Sequence, residues 1–221
     1  MPIDAVFFDL DGTLLDTAPD LGGALNTVLI EEGLQTISLC ELRKVVSNGS
    51  AALIEVGFPD LKCDVEFTRL RNRLLEIYQD TLADKTEVFP GIYELIEQCS
   101  ANGISWGVAT NKPWKYTAPL MKAFSFASEP SCLICPEHVK NSKPAADSLI
   151  LACEQTNTTH QNALYIGDHI RDIQCGINAG MRTIAVNYGY IDSPDVTKTW
   201  NADYIVESAH DIWPIIQTLN T

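Results

Sequence analysis

The sequence is poor in basic residues. Fifteen lysines and arginines stand against 29 aspartates and glutamates, which gives a formal net charge of −14. No local cluster of lysine and arginine offsets this excess. Because an acidic surface repels polyanions, the composition argues against a nucleic-acid partner.

The sequence also lacks long apolar runs. No stretch of the 221 residues approaches the roughly 20 apolar residues that span a bilayer, so no membrane partner is expected. The first residues, "MPIDAVFFDLDG", show no basic region followed by a separate apolar region, which argues against a secretory signal. Seven cysteines, an odd number, favour reduced thiols over a disulfide framework. These features predict a cytoplasmic location.

Short apolar or β-branched runs alternate with segments of helical spacing. The runs are "AVFFD", "SWGVAT", "SCLICP", "ALYIGD" and "RTIAVN", with "ADYIVE" as a weaker sixth. Strands that alternate with helices are typical of a parallel sheet with helices on both faces. The chain is therefore predicted to be an α/β protein with a doubly wound parallel sheet.

The stretch between the first two runs is too long for one crossover helix. From Ala18 to about Asp84 it has apolar residues at helical spacing, which predicts an inserted, small, all-helical cap. In "VFPGIYELIEQCSANG", Pro90 and Gly91 then open a helix that returns to the sheet. The predicted domains are a core of residues 1–17 and 85–221 and a cap of residues 18–84.

Acidic residues follow two of the predicted strands. Asp9 and Asp11 come at the end of "AVFFD", and Asp168 and Asp172 come at the end of "ALYIGD". The carboxyl ends of strands in open α/β sheets form the ligand crevice, so the four acids are expected to converge there. Carboxylates that converge repel one another unless a cation lies between them. An all-oxygen cluster of this kind suits Mg²⁺.

Hydrogen-bond donors follow two further strands. Thr110, Asn111 and Lys112 come after "SWGVA", and Lys143 precedes a proline that opens a helix. Hydroxyl, amide and ammonium groups next to a magnesium site provide what a transferring phosphoryl group needs, because its catalysis depends mainly on positioning and charge neutralisation.

In four motifs and in their order, "DLDGT", "TNKP", "KNSKP" and "YIGDHIRD", the sequence resembles phosphatases of the haloacid dehalogenase superfamily over essentially its whole length. The resemblance implies a Rossmann-like core with a helical cap of the C1 type and Mg²⁺ as cofactor. It implies that Asp9 is the nucleophile, that Asp11 is the general acid and base, and that Thr110 and Lys143 bind the phosphoryl oxygens. The implied metal ligands are Asp9, Asp11, Asp168 and Asp172, and further implied substrate-binding residues are Gly12, Thr13, Asn111 and Lys112.

Within the superfamily, "TAPDL", "SNG" and "NYGY" resemble the phosphoglycolate phosphatase group, and "CPEHVKNSKP" resembles N-acetylmuramic acid 6-phosphate phosphatases more closely. Both implied substrates are small phosphorylated metabolites that also carry a carboxylate. In the cap, Ser47, Asn48 and Gly49 precede a helix whose amino terminus favours an anion, with an ordinary helix cap as the equal alternative. Arg43 is a candidate partner for the second anion, although a solvated helix arginine is the alternative.

Other functions remain open at this level. A sugar phosphomutase would use the same two acids, and a binding protein could keep the fold without the chemistry. A dehalogenase would leave Asp11 without a task. A phosphonate hydrolase would need a lysine at the cap loop, and Lys44 lies near that loop but not in it. The retention of Asp9, Asp11, Lys143 and Asp168 favours catalysis, and the sequence gives no oligomeric state.

Overall fold

A computed structural model describes residues 2–221 and divides the chain into two compact units. One unit comprises the segment up to Leu15 together with Val88–Thr221, and the other is Asp16–Glu87. Two-residue strands, β2 (Leu15–Asp16) and β3 (Glu87–Val88), lie where the chain passes from one unit to the other. The division falls at 15/16 and 87/88, whereas the boundaries expected from the sequence are 17/18 and 84/85.

The first unit contains a six-stranded parallel sheet, which confirms the predicted fold class. All six predicted strands form: β1 (Ala5–Phe8), β4 (Ser105–Ala109), β5 (Cys132–Ile134), β6 (Ala163–Gly167), β7 (Arg182–Val186) and β8 (Tyr204–Val206). Their spatial order in the sheet is β5-β4-β1-β6-β7-β8. The central strand β1 pairs with β4 on one side and β6 on the other, so Phe7 lies opposite both Gly107 and Tyr165.

Helices cover the sheet. In the first unit they are α5 (Ile92–Ala101), α6 (Trp114–Lys122), α7 (Asp147–Thr156), α8 (Ile170–Ala179), α9 (Pro194–Thr197) and α10 (Ile212–Leu219). Phe7 and Tyr165 belong to a buried cluster with Leu149 of α7. Because side chains alternate along a strand, Phe8 points to the opposite face, where it contacts Trp106 edge-on. Strands buried on both faces explain why β1 and β6 are apolar throughout.

The second unit is helical. Its helices are α1 (Ala18–Glu31), α2 (Leu39–Val46), α3 (Gly49–Gly57) and α4 (Asp64–Asp80). The buried carboxylate of Asp20, in the first turn of α1, accepts hydrogen bonds from the backbone N–H groups of Lys85 (2.9 Å) and Thr86 (3.0 Å) and from the Thr86 hydroxyl (2.6 Å). These hydrogen bonds connect the last residues of the unit to its first helix. In residues 2–221, no helix is both long enough and apolar enough to cross a membrane.

Candidate active site

The first motif forms a tight turn at the carboxyl end of β1. Asp9 follows the strand directly, and its N–H group donates to the carbonyl of Ile166 in β6 at 2.9 Å. Gly12 has a φ of +88°, and a Cβ at this position would lie 2.1 Å from Asp168 Oδ2. Glycine therefore allows both the left-handed backbone and the close approach of the Asp168 carboxylate.

Lys143 brings the distant motifs together. Its Nζ donates to Asp9 Oδ1 at 2.7 Å, to Asp172 Oδ1 at 2.6 Å and to the hydroxyl of Tyr165 at 2.9 Å. The lysine is only 6% exposed. Lys143, Asp9 and Asp172 thus share one buried site.

Asp168 and Asp172 are fixed by the turn between β6 and α8. Asp168 accepts from the Tyr190 N–H group at 2.7 Å and from the Thr13 hydroxyl at 3.2 Å. Asp172 accepts from the His169 N–H group at 3.1 Å in the first turn of α8. The ring of His169 accepts from the backbone of the same turn, so this histidine caps the helix. The start of α8 therefore positions Asp172, whereas Tyr190 and Thr13 position Asp168.

Three carboxylates lie close enough to hold one ion. Single carboxylate oxygens of Asp9, Asp168 and Asp172 all lie within 4.8 Å of one another, and all three residues are buried. Their all-oxygen donor set fits a hard cation such as Mg²⁺. Asp11 is not one of these three residues; its carboxylate accepts from Lys112 Nζ at 2.9 Å.

Electrostatics at the three acids also fit a cation. Burial raises the pKa of Asp9 to about 6. The charge of Lys143 acts to lower this pKa, and the charges of Asp172 and Asp11 act to raise it. Burial and the charges of Asp9 and Asp172 raise the pKa of Asp168 well above its ordinary value. Burial alone would lower the pKa of Lys143, but the charges of Asp172 and Asp9 outweigh it and the pKa is raised. One ammonium thus serves several carboxylates, and a divalent ion would relieve the remaining repulsion.

The donors after β4 border the same site. The Thr110 hydroxyl, in a residue only 4% exposed, accepts from the Lys112 N–H group at 3.1 Å. The Asn111 amide meets the backbone of Lys143 twice: its oxygen accepts from the N–H group at 3.1 Å, and its nitrogen donates to the carbonyl at 3.2 Å. Asn111, predicted to bind substrate, therefore also supports the loop that carries Lys143.

The four predicted cap residues belong to the helical unit. Arg43 of α2 forms an ion pair with Asp16 and is 34% exposed at its side chain. Ser47 is the residue after α2, and Asn48 and Gly49 are exposed at the start of α3, where Gly49 has a φ of +82°. Their substrate-binding role stays a prediction.

Among the residues that contact the acids, sequence reasoning missed Tyr165 and Tyr190. Tyr190 donates its backbone N–H group to Asp168, a contact for which the sequence holds no signal. Tyr165 contributes its hydroxyl from inside a buried strand. The available signal was that a buried tyrosine usually needs a hydrogen-bond partner for its hydroxyl.

Comparisons with known proteins agree with this geometry. The family model for haloacid dehalogenase-like hydrolases matches residues 6–186. An N-acetylmuramic acid 6-phosphate phosphatase from Pseudomonas putida is 41% identical over 219 residues, which cover 99% of this chain and 98% of the relative. A phosphoglycolate phosphatase from Xylella fastidiosa is 33% identical over 214 residues, covering 95% and 93% respectively.

Solved structures have the same fold. The crystal structure of a predicted phosphoglycolate phosphatase from Haemophilus somnus matches with a TM-score of 0.85 at 25% identity, covering 96% of this chain and 97% of that chain. CbbY from Rhodobacter sphaeroides, solved in complex with phosphate, matches with a TM-score of 0.75 at 21% identity, covering 95% and 96%. Because the family model matches residues 6–186 and the relatives match over nearly its full length, the chain belongs to the haloacid dehalogenase-like hydrolase family.

Proposed function

We propose that this protein is a magnesium-dependent phosphomonoesterase that acts on a small phosphorylated metabolite through an aspartyl-phosphate intermediate. The observation that carries the proposal is the buried group of Asp9, Asp168 and Asp172 around the ammonium of Lys143. The names of its relatives, which are phosphatases of N-acetylmuramic acid 6-phosphate and of phosphoglycolate, support the same reaction class.

Asp9, Asp168 and Asp172 are the residues we assign to the ion, and the sequence adds Asp11 as a fourth candidate. When bound, Mg²⁺ supplies positive charge that neutralises the carboxylates and the phosphoryl oxygens as they approach each other. The donor set fits this ion because it consists of three buried carboxylates, offers only oxygen atoms and carries a local excess of negative charge.

The first half-reaction begins at Asp9. Lys143 holds Oδ1 of this residue, so Oδ2 is the atom we assign to attack on phosphorus. A bond forms between this oxygen and phosphorus while the bond from phosphorus to the substrate oxygen breaks. Asp11 gives its proton to the departing oxygen, and the alcohol leaves. Thr110 donates to the phosphoryl oxygens and the positive charge of Lys143 attracts them, with Asn111, Lys112, Gly12 and Thr13 as further contacts.

The second half-reaction returns the enzyme to its starting state. Asp11, now ionised, takes a proton from water, and the resulting hydroxide attacks phosphorus. The bond between phosphorus and Asp9 breaks, and inorganic phosphate is released. Lys112 donates to the Asp11 carboxylate at 2.9 Å and thereby holds the general acid and base in place.

For the substrate we propose N-acetylmuramic acid 6-phosphate first and 2-phosphoglycolate second. The order follows the identities of 41% and 33% to relatives named for these activities. Both molecules carry a carboxylate, and Arg43 with the segment Ser47–Gly49 remains our candidate for its recognition. A role in cell-wall recycling would follow from the first substrate. We also propose a cytoplasmic location, which the burial of five of the seven cysteine thiols supports.

The test is phosphate release by the purified protein. We expect release from p-nitrophenyl phosphate with Mg²⁺, none after EDTA, and the highest kcat/KM among natural substrates for N-acetylmuramic acid 6-phosphate in a panel with 2-phosphoglycolate, hexose phosphates and nucleotides. Asp9→Asn should retain the fold and lose turnover, whereas Asp4→Asn, an exposed change before the same strand, should keep it. A near wild-type rate in Asp9→Asn refutes the assignment of the nucleophile. Conversion of a sugar phosphate to its isomer without phosphate release would identify a mutase instead.

A further inference from the structure

Tyr165 lies in the middle of a fully buried strand but directs a polar group at the charged site. Its side chain is 0% exposed. The hydroxyl oxygen lies 2.9 Å from Lys143 Nζ and 2.7 Å from the carbonyl oxygen of Ala109, the last residue of β4. Tyr165 therefore connects two central strands and the lysine through one atom.

The direction of these hydrogen bonds is fixed by chemistry. A carbonyl oxygen only accepts and an ammonium only donates, so the single hydroxyl proton points to Ala109 and a lone pair of the oxygen faces Lys143. Asp172 Oδ1, at 3.4 Å from the hydroxyl, is the more distant candidate for this proton. The tyrosine thus acts as an acceptor toward the lysine.

This acceptor completes the bonding of the ammonium. Lys143 has three Nζ protons, and their partners are Asp9, Asp172 and Tyr165. The lysine side chain is long and flexible, and its ammonium is a point charge without preferred geometry of its own. Contacts to two carboxylates leave the ammonium able to shift toward either one, whereas a third contact from a rigid ring defines its position.

We propose that Tyr165 is a positioning residue that fixes the ammonium of Lys143 against Asp9, so that Oδ1 of the nucleophile is held while Oδ2 is presented for reaction. The kinetic part of this inference rests on the proposed function. The ring itself packs in the core with Phe7 and Leu149, and phenylalanine would pack in the same way. The positioning role therefore belongs to the hydroxyl alone.

The kinetic test is Tyr165→Phe with p-nitrophenyl phosphate and the best natural substrate. We expect kcat to fall by roughly tenfold, less than the ~10²-fold that a 1 Å misplacement can cost, because Asp9 and Asp172 still hold the ammonium. KM should change by less than about twofold because the lysine charge remains. The matched control is Thr183→Val, which removes a buried hydroxyl from the residue opposite Tyr165 in β7. It should retain wild-type kcat and KM. Unchanged kcat in Tyr165→Phe, or an equal loss in Thr183→Val, overturns the proposal.

A measurement without turnover tests the position of the lysine directly. In the metal-free protein, the Nζ signal of Lys143 in ¹H–¹⁵N spectra is identified by its loss in Lys143→Met. We expect this signal to shift or broaden in Tyr165→Phe and to stay in place in Thr183→Val. An unchanged signal in Tyr165→Phe overturns the proposal even if activity falls. If the wild-type protein releases no phosphate, the proposed function fails, and the spectrum still decides whether Tyr165 positions Lys143.

Discussion

The ionised carboxylate of Asp9, which the proposed reaction needs, is expected to lower the stability of the folded chain. Burial raises the pKa of this carboxyl from 3.8 to about 6, so ionising it costs more in the folded chain than in the unfolded chain. A shift of about two pH units, at 1.36 kcal/mol per unit, corresponds to about 3 kcal/mol above pH 6. The substitution Asp9→Asn removes the charge, and its amide oxygen can still accept from Lys143.

The expected result is a more stable but inactive variant. In EDTA at pH 8, about 3 kcal/mol corresponds to a rise of about 6–12 °C in melting temperature for a chain of this size. The direction in which this stability difference changes with pH follows from the raised pKa of Asp9. The penalty is fully present above pH 6 and is lost as pH falls, because Asp9 then takes up a proton in the fold more readily than in the unfolded chain. The gain should therefore shrink by roughly half at pH 5.

The assay is thermal or urea unfolding of both proteins in EDTA at pH 8 and pH 5. The exposed substitution Asp4→Asn is the control and should change stability by less than about 0.5 kcal/mol at either pH. A variant Asp9→Asn that is no more stable than wild type at pH 8, or whose gain is larger at pH 5, would refute the reasoning.

Three further predictions follow from the structure. Gly12→Ala should lower both kcat and the melting temperature, because its Cβ would lie 2.1 Å from Asp168 Oδ2; an active, equally stable variant would contradict this geometry. Asp20→Ala should lower the free energy of unfolding in urea by roughly 3 kcal/mol, because it removes the buried acceptor of three hydrogen bonds from Lys85 and Thr86. A change below about 1 kcal/mol would show that these bonds contribute little. Mg²⁺ at 100 times its dissociation constant should stabilise the wild-type protein by about 2.7 kcal/mol in thermal unfolding, and an equal effect on Asp168→Asn would place the ion elsewhere.

Much of the fold could be predicted because local sequence and tertiary structure agree. Each strand of the six-stranded sheet is a short apolar or β-branched run, and burial of this sheet on both faces requires that composition. Asp9 and Asp168 could be placed together for the same reason. Both follow strands of one parallel sheet, so both lie at the same edge.

Other contacts have no local signature. Asp20 reads as an ordinary acid in the first turn of a helix, and its partners lie 65 and 66 residues further along the chain. Tyr165 matches the apolar pattern of its strand, so the sequence predicts a core residue and not a hydroxyl in contact with Lys143. The sequence predicts Arg43 as a partner for a substrate anion. Its ion pair with Asp16, 27 residues earlier, depends on the tertiary fold and has no signature in the periodicity of apolar residues.

The separation of Asp9 from Lys143 has a consequence during synthesis of the chain. The two residues lie 134 positions apart, and ribosomes add about 5–20 residues per second, so the acid is made roughly 7–27 s before its ammonium partner. An emerging chain that ends before residue 143 lacks the ammonium that pairs with Asp9. Chemical competence should therefore arise late and abruptly, when the last central strand joins the sheet, and shortened translation products should be inert.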